Sequence, residues 1–487
     1  MRRALKMMQN LEAENNMPEI DLPFGLEKNT ELFLPEFDRP RDLSDSGYNC
    51  VDILVTARAG VKLEAEGATR ASLFDQALMG PSLLCGLRGM RIDHGKIAQA
   101  KLEIEERARA GKEKFLALAG SDVKFGKGFK PSPAELARIL YRDFKVKTRL
   151  GHSDNPSVAQ NILVDIRDDI KTPDAAVPIV ELALELTALE SDRQALEKPA
   201  GPDGRIHSSF MISAAVSARW GSRKDAFNEG MNLHGASDLI RKVFIPDPGK
   251  VLVALDQSQA ESNLVAALSG SKWYLDAHKA GNVHVQSGKV FFPEYADIIT
   301  KDWAKNTPFP SSPGKMYYDL MKSCQHALNY GQSVPGMSKH LHILKTEAQQ
   351  LSLNYFKKVP EIPRYHEWIA SEIRTKRRLV TPFGRVRQFL GRTWEHSSVR
   401  EAISYQPQST VSDITKIFLW RLFTHLDPDS LQILMEHHDS VMFQVDEDKL
   451  DTVMPLVHEL SYIPFKVGSE IIASKWEAKV GYSWSEI

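Results

Sequence analysis

An α+β fold, with a sheet interrupted by a helical insertion, is what this sequence predicts, and three observations carry the expectation. Residues 251–255 (VLVAL) are consecutive apolar residues that run into Asp256 and are approached through Pro246, Pro248 and Gly249, the pattern of a buried strand. Residues 431–445 (LQILMEHHDSVMFQV) read as two further strands around a tight turn. Between them, a block from about 300 to 390 is helical in pattern. The two sheet segments must come together, because either one alone leaves an unpaired edge and a half-exposed core.

In chain order, residues 1–47 are dotted with prolines (Pro18, Pro23, Pro35, Pro40) and read as an arm. Residues 97–119 are strongly helical and charged, and 177–197 form a second long helical pattern. With PSPAELARILYRDFKVK between them, they predict a mostly helical region over about 85–200. Residues 205–218 (RIHSSFMISAAVSA) are β-rich, and the proline-rich TPFPSSPG (307–314) reads as a boundary. Pro363 stands where a first-turn proline starts a helix, here one running toward Arg378. No solenoid-type repeat or low-complexity tract is present.

Composition narrows the class. At about 150 residues per domain, 487 residues suggest roughly three domains. A content of 42% hydrophobic and 26% charged residues is that of a globular protein. No apolar run approaches the roughly 20 residues of a membrane span. The N-terminus, MRRALKMMQNLEAENN, resembles neither a secretory signal nor a transit peptide. Cys50, Cys85 and Cys324 are far apart and form no CxxC pair, so a zinc ribbon or disulfide framework is not expected and a reducing cytoplasm is. The net charge of −1 does not announce a nucleic-acid binder, but local positive surfaces matter more than the total.

Two carboxylates stand on the sheet elements, Asp256 at the end of one strand and Asp439 in the turn of the other pair. If the strands adjoin, both face one rim. A carboxylate pair there can hold two Mg²⁺ ions about 3.5–4 Å apart, the geometry for in-line displacement at phosphorus. The alternative is that each aspartate caps a turn. His437-His438-Asp439 also contains metal-ligating residue types, but adjacent strand residues point to opposite faces and seldom share one metal.

Tyr318, Lys322, His326 and Tyr330 recur every fourth residue, which puts them on one slanted helix face of about 18 Å. A cation, an imidazole and two phenols on one stripe suit a triphosphate and a stacked base; an amphipathic helix with a polar outer face is the plainer reading. The cations at 376–378 (KRR), Arg385, Arg387 and Arg392 suit phosphate contacts or a solvated face equally. No P-loop, HExxH or GxSxG motif is present.

In their order along the chain these motifs resemble the family A DNA polymerases, the group of bacterial DNA polymerase I and related phage replicases. Asp256-Gln257-Ser258-Gln259-Ala260-Glu261 is similar to the family's first palm motif, DYSQIE. Tyr318, Lys322, His326 and Tyr330-Gly331 resemble the fingers helix, which has an arginine, a lysine, an aromatic and YG at these steps. His438-Asp439-Ser440 resembles the last palm motif, HDE. SARWGS (217–222) looks like TGRLSS, TPFGRVR (381–387) and REAISYQPQST (400–410) look like the segment leading to a template-contacting glutamine, and LRGMRIDHGKI (87–97) looks like the approach to a thumb. The resemblance covers about residues 85–487.

It implies a right-hand fold: a thumb and lead-in to the palm over 81–204, palm over 205–300, fingers over 301–395, palm again over 396–487, and an N-terminal arm with an exonuclease-like remnant over 1–80. By the same resemblance, Asp256 and Asp439 hold two Mg²⁺ ions, with Mn²⁺ as a substitute. Lys322, His326, Tyr330, Glu261 and Tyr318 bind the dNTP, with Glu261 as the gate that rejects a 2′-OH. Arg219, Arg400, Gln408 and His438 hold primer-template DNA. The implied reaction is attack of a primer 3′-OH on a dNTP α-phosphate. Single-subunit RNA synthesis, or a catalytically idle DNA-binding subunit, are the alternatives; Glu261 argues against the first and the retained aspartates against the second.

Several positions depart from the family pattern. Tyr318 stands in place of the arginine that grips the outer phosphates, which makes Lys315 or Lys339 the expected substitute. His326 replaces the aromatic under the sugar, Ser440 the glutamate after the second aspartate, and Gln257, Ala260 and Asn263 the usual Tyr, Ile and Arg. Tyr48-Asn49-Cys50-Val51-Asp52 resembles the last motif, YxxxD, of the family's 3′–5′ exonuclease domain. Such a domain needs about 150–200 residues ahead of that motif, so the expectation is no proofreading in this chain, with the exonuclease either lost or completed by a separate exonuclease polypeptide as partner. Metal-dependent 3′ trimming of a primer by the pure chain, without dNTPs, would count against it.

Overall fold

Helix α1 (His94–Ala119) opens the helical region, and Asp93 caps it by accepting from the backbone N–H of Gly95 at 2.8 Å and of Lys96 at 3.0 Å. The protein is seen here as a computed structural model describing residues 70–487, apart from 121, 127, 152–154, 168, 170, 198–199, 226–228 and 313. The inner stripe of α1, Ala100, Ile104, Ala108, Gly111 and Phe115, follows the 3–4 spacing of a buried helix face. It packs along α2 (Val177–Leu196). A Cβ on Gly111 would stand 3.0 Å from a Leu186 methyl, so the glycine lets the two helices approach closely. Both long helices lie where the sequence places them.

The central sheet holds β1 (Lys250–Ser258), β2 (Leu431–His437), β3 (Ser440–Asp446) and β4 (Lys475–Gly481), in the order β4-β1-β3-β2 and antiparallel throughout. Val251, Leu252, Val253 and Leu255 are all buried, which is why β1 reads as an unbroken apolar run. The two segments predicted to meet are paired directly: Val251 faces Val445 and Leu255 faces Val441. Strand β4 escaped the sequence reading because KWEAKVG is an edge strand dominated by exposed polar residues.

Three expectations are corrected. Strand β1 does not end at Asp256 but continues to Ser258, where Gln259, at φ 54°, turns the chain into a helix. Residues 205–218 supply only the short strands Arg205–Ile206 and Ser209–Met211, because left-handed residues Ser213 (φ 58°) and Ala218 (φ 62°) break the run. The helical block begins at residue 260 rather than near 300. It comprises α3 (Ala260–Ser269), α4 (Lys272–Lys279), α5 (Val283–Phe291), the short helix Lys301–Asn306, α6 (Tyr317–Asn329), α7 (Val334–Leu341), α8 (Lys345–Lys358) and α9 (Glu361–Thr375). This block has its own apolar core, with Tyr274, Phe291, Leu320, Met321 and Tyr355 inside it. In α9, Pro363 lies in the first turn, where its missing N–H costs no helical bond.

Helix α10 (His396–His425) packs against β2, β3, α3 and α9. It buries a polar set, including Ser409, Thr410, Ser412, Asp413, Thr415 and Lys416. Those residues and the internal Pro407 conceal its length in the sequence. Among the described residues, no helix is long and apolar enough to cross a membrane. Cys85 and Cys324 are free and buried, and burial pushes both thiols up to about 12. Tyr48, Cys50 and Asp52 lie outside the described residues.

Candidate active site

The β1–β3 pairing brings the two predicted aspartates to one rim. Asp256 lies opposite Ser440, and the next residue, Gln257, donates its backbone N–H to the Asp439 carbonyl at 3.0 Å. Asp439 is held in the β2–β3 turn by its own N–H to the His437 carbonyl (2.9 Å) and by His438 at φ 64°. Gln257 braces this corner from beneath. Its amide donates to the Val411 carbonyl (3.1 Å) and Thr415 Oγ1 (2.6 Å) and accepts from Ser474 Oγ (2.8 Å). A residue that departs from the family pattern thus ties β1 to α10 and to the approach to β4.

Asp256 is open to solvent at the rim. Even so, partial desolvation and then the charge of Asp439 push its carboxyl up to about 7, with Lys479 pulling the other way. Burial likewise raises Asp439. Glu477, opposite Asp256 on β4, adds to the repulsion and accepts from Ser258 Oγ at 2.8 Å. Two carboxylates held together at this proton affinity, with an accessible rim, are a hard-oxygen donor set that fits a divalent cation. Among the described residues no group of three or more His, Cys, Asp or Glu gathers as a metal site, so the pair stands without a third ligand.

Glu261, in the first turn of α3, accepts from Arg219 and from the Tyr330 hydroxyl, and His326 Nε2 lies 3.6 Å away. Burial disfavours its charge, but His326, Arg219 and Tyr330 together outweigh burial and hold the carboxyl down at about 2. Tyr330, the C-cap of α6, moves the opposite way: burial, then the charge of Glu261, keep its phenol protonated. The His326 and Tyr330 rings meet edge-on at 4.6 Å. Four of the predicted residues therefore form one bonded cluster.

Lys322 is exposed one turn before His326 on the same face of α6. Tyr318 begins the stripe, and its hydroxyl accepts from Asn282 Nδ2 at 3.0 Å. Of the two cations expected to compensate for Tyr318, Lys315 is engaged elsewhere. The Lys315 amine donates to the Leu341 carbonyl at 3.3 Å. Lys339 lies near Asp169, whose carboxyl is lowered chiefly by the Lys171 backbone N–H and then by Arg149 and Lys339.

Of the remaining predicted residues, Arg219 reaches the site through Glu261. His438 packs on His234 (5.1 Å) and His437 (4.7 Å), with its Nδ1 buried and without a partner. Gln408 is half-buried on α10, one turn before Ser412, whose hydroxyl donates to the Ala218 carbonyl at 3.1 Å. Arg400 is exposed two turns further away, about 12 Å from Gln408 along the helix, and the structure does not bring it to the carboxylate pair. Arg385 is no surface cation. It is buried between Asp413 (2.6 Å) and Asp75 (2.6 Å). Arg387 pairs with Glu401 at 2.7 Å.

Sequence reasoning missed His234, Asn282, His284 and Glu477. His284 meets the Tyr318 ring edge-on at 6.1 Å, and burial, with Lys322 and His326 nearby, lowers it to about 4. The signal for Asn282 and His284 was an N-cap pattern, GNVHV, at the start of α5. The backbone N–H of Val283 donates to Gln259 Oε1 at 3.1 Å, which docks that helix on the end of β1.

A sheet carrying paired carboxylates, a helical block whose Lys322-bearing helix is bonded through Tyr330 to Glu261 beyond the strand end, and a pair of long helices define a right-hand polymerase fold. The model of DNA polymerase family A matches residues 95–486, and the chain belongs to that family, whose members use divalent metal ions. DNA polymerase I, thermostable, of Thermus filiformis is 27% identical over 418 residues, covering 82% of this chain and 46% of its own length. DNA polymerase I of Lactococcus lactis subsp. cremoris is 25% identical over 484 residues, covering 93% and 51%. This chain thus spans about half the length of the curated relatives it matches. The POL domain of Pol1 from M. smegmatis, solved in complex with DNA primer-template and dNTP, shares the fold at TM-score 0.67 and 20% identity, covering 86% of this chain and 72% of that one.

Proposed function

We propose that this chain catalyses template-directed 5′–3′ DNA synthesis, transferring a nucleotide from dNTP to a primer 3′-OH. The observation that supports it most is the juxtaposition of Asp256 and Asp439 on paired strands, with Glu261, whose charge acts on Asp439, bonded to Tyr330 at the end of the Lys322 stripe. In this reading β1–β4 and α10 form the palm, α3–α9 the fingers, and α1 and α2 the thumb. Asp256 and Asp439 would hold two Mg²⁺ ions, which when bound activate the attacking hydroxyl and stabilise charge on the departing pyrophosphate. Lys322 grips the triphosphate, the Glu261 cluster lies under the sugar, and Tyr330 and Arg219 fix that cluster. Catalysis is then positioning and charge stabilisation. Extension of a primed template by the purified chain with dNTPs and Mg²⁺ is the direct test, and no extension under any divalent ion would refute the proposal.

Glu261 supports DNA over RNA synthesis, since its carboxylate is clamped from three sides. Replacing it with alanine is expected to reduce dNTP-over-rNTP discrimination by about 10–100-fold, measured as the ratio of kcat/KM values. Glu261→Gln, which keeps the volume, should retain most of it. Unchanged discrimination in the alanine variant would remove the gate assignment.

The raised carboxyls also fix a pH dependence. Folded Asp256 and Asp439 hold protons that the unfolded chain releases, so this pair makes the metal-free protein more stable as pH falls through their raised values toward 3.8, and less stable as pH rises. A divalent ion must displace those protons, so its affinity rises with pH through neutrality. The Tm gain on adding Mg²⁺ should be larger at pH 8 than at pH 6 in thermal unfolding. An equal gain at both would argue that other groups bind the ion.

A further inference from the structure

The α6 stripe, tied to Glu261 at its Tyr330 end, lacks a charge at its other end, where a triphosphate would end. From the sugar end it runs Tyr330, His326, Lys322 and then Tyr318, a neutral phenol in the first turn of α6. Beyond the ring of that phenol stands Lys305, on the short helix Lys301–Asn306, with Nζ 5.6 Å from the ring centroid. We infer that Lys305 is a phosphate-binding residue of this site, taking the outermost phosphate of the bound nucleotide with the Tyr318 ring as its platform. The inference rests on the polymerase reading and specifies which groups hold the far end of its substrate.

The Tyr318 ring and the helix that bears Lys305 are both anchored. The Tyr318 hydroxyl accepts from Asn282 at 3.0 Å and His284 packs edge-on with the ring, so the phenol is held from two sides. The helix bearing Lys305 is anchored to the start of α6. Trp303 packs on Tyr317 at 4.9 Å, Thr307 Oγ1 donates to the Trp303 carbonyl at 2.7 Å, and the Tyr317 backbone N–H donates to the Thr307 carbonyl at 3.0 Å. Lys305 itself is exposed, and among the described residues no carboxylate pairs with it. An exposed cation–π contact is weak, so the amine can leave the ring for a phosphate at little loss.

The position matches the chemistry. Tyr318 and Lys322 are one helical turn apart, about 6 Å between Cβ atoms, so Lys305 adds a second cation one turn beyond the first. The α6 N-terminus, with its positive end of the helix dipole, lies at the same place. Two lysines spaced in this way bracket successive phosphates rather than crowding one. The arrangement assigns Lys322 to the inner phosphates and Lys305 to the terminal one.

The assignment is tested by equilibrium titration of matched dNTP, and separately dNDP, into protein bound to a dideoxy-terminated primer-template. Loss of a charged contact to phosphate in Lys305→Ala should raise the dNTP Kd about tenfold, with Lys305→Arg within about threefold of wild type. Lys301→Ala, on the same helix, should bind as wild type does. The dNDP Kd should change little in Lys305→Ala, a difference that a merely structural role would not produce. Equal dNTP affinity in wild type and Lys305→Ala, or equal losses for dNTP and dNDP, overturns the assignment while leaving the polymerase reading intact. No dNTP binding by wild type overturns both.

Discussion

Asp256→Asn and Asp439→Asn are each expected to lower primer extension by about 10³-fold or more, with primer-template affinity unchanged or slightly tighter. The size of the loss follows from the geometry. The two carboxylates are the acidic pair at this rim, and no third carboxylate, histidine or thiol joins them as a ligand group among the described residues. Removing one leaves a single carboxylate of the pair where two ions must be held close together, and charge stabilisation of this kind is the largest contribution such a site makes. The persistence of binding follows from the same charges. An aspartate at this rim repels DNA phosphates, so its neutral isostere removes a repulsion. Asparagine also fits the same space, and the backbone bond from Gln257 to Asp439 does not involve either side chain. Extension is read on a labelled primer under saturating Mg²⁺ and binding by a salt titration of the same duplex. Near-normal extension by either variant would remove both aspartates from the proposed metal site.

The parts of this site that the sequence discloses are those written in local pattern. VLVAL before Asp256 and the two strand patterns flanking Asp439 are period-and-polarity signals, and the need to close both sheet edges brings them together. The four-residue spacing of Tyr318, Lys322, His326 and Tyr330 likewise fixes one helix face. What joins distant segments is not so written. Glu261 bonds Arg219 and Tyr330, 42 and 69 residues away, and neither separation has a period. Lys305 reads as an ordinary surface lysine until its helix is docked beside Tyr318. Arg385 reads as one more basic residue in TPFGRVR; it and Lys416 are buried because partners from other segments neutralise them. Helix α10 was hidden for the same reason, since its polar residues face inward onto each other and onto neighbouring elements rather than outward to water.

Loss of the Asp75 carboxylate is expected to be the largest single effect on stability away from the carboxylate pair. Asp75, on the helix Arg70–Ala77, receives Lys416 Nζ at 2.8 Å and both terminal nitrogens of Arg385, at 2.6 and 3.0 Å. The Lys416 side chain has no solvent exposure. Asp413 is bonded to Arg385 at 2.6 Å, whereas the Lys416 ammonium donates to Asp75, and the Asp75 carboxyl, although burial opposes it, is lowered by Arg385 and Lys416. Asp75→Asn therefore leaves a buried ammonium without its bonded anion, at a cost of about 3–5 kcal/mol. A fall in Tm of several degrees should accompany it. The sign with pH follows from the depressed carboxyl: its contribution is present above the usual aspartate range and is lost as pH falls through the folded value, so wild type and Asp75→Asn should converge in acid. Lys416→Met in the same chain removes the orphaned charge and should recover most of the loss. Below its Tm the single variant should still extend primers, because Asp75 touches neither the aspartate pair nor the Lys322 stripe. A Tm equal to that of wild type would show that water, rather than Asp75, balances Lys416.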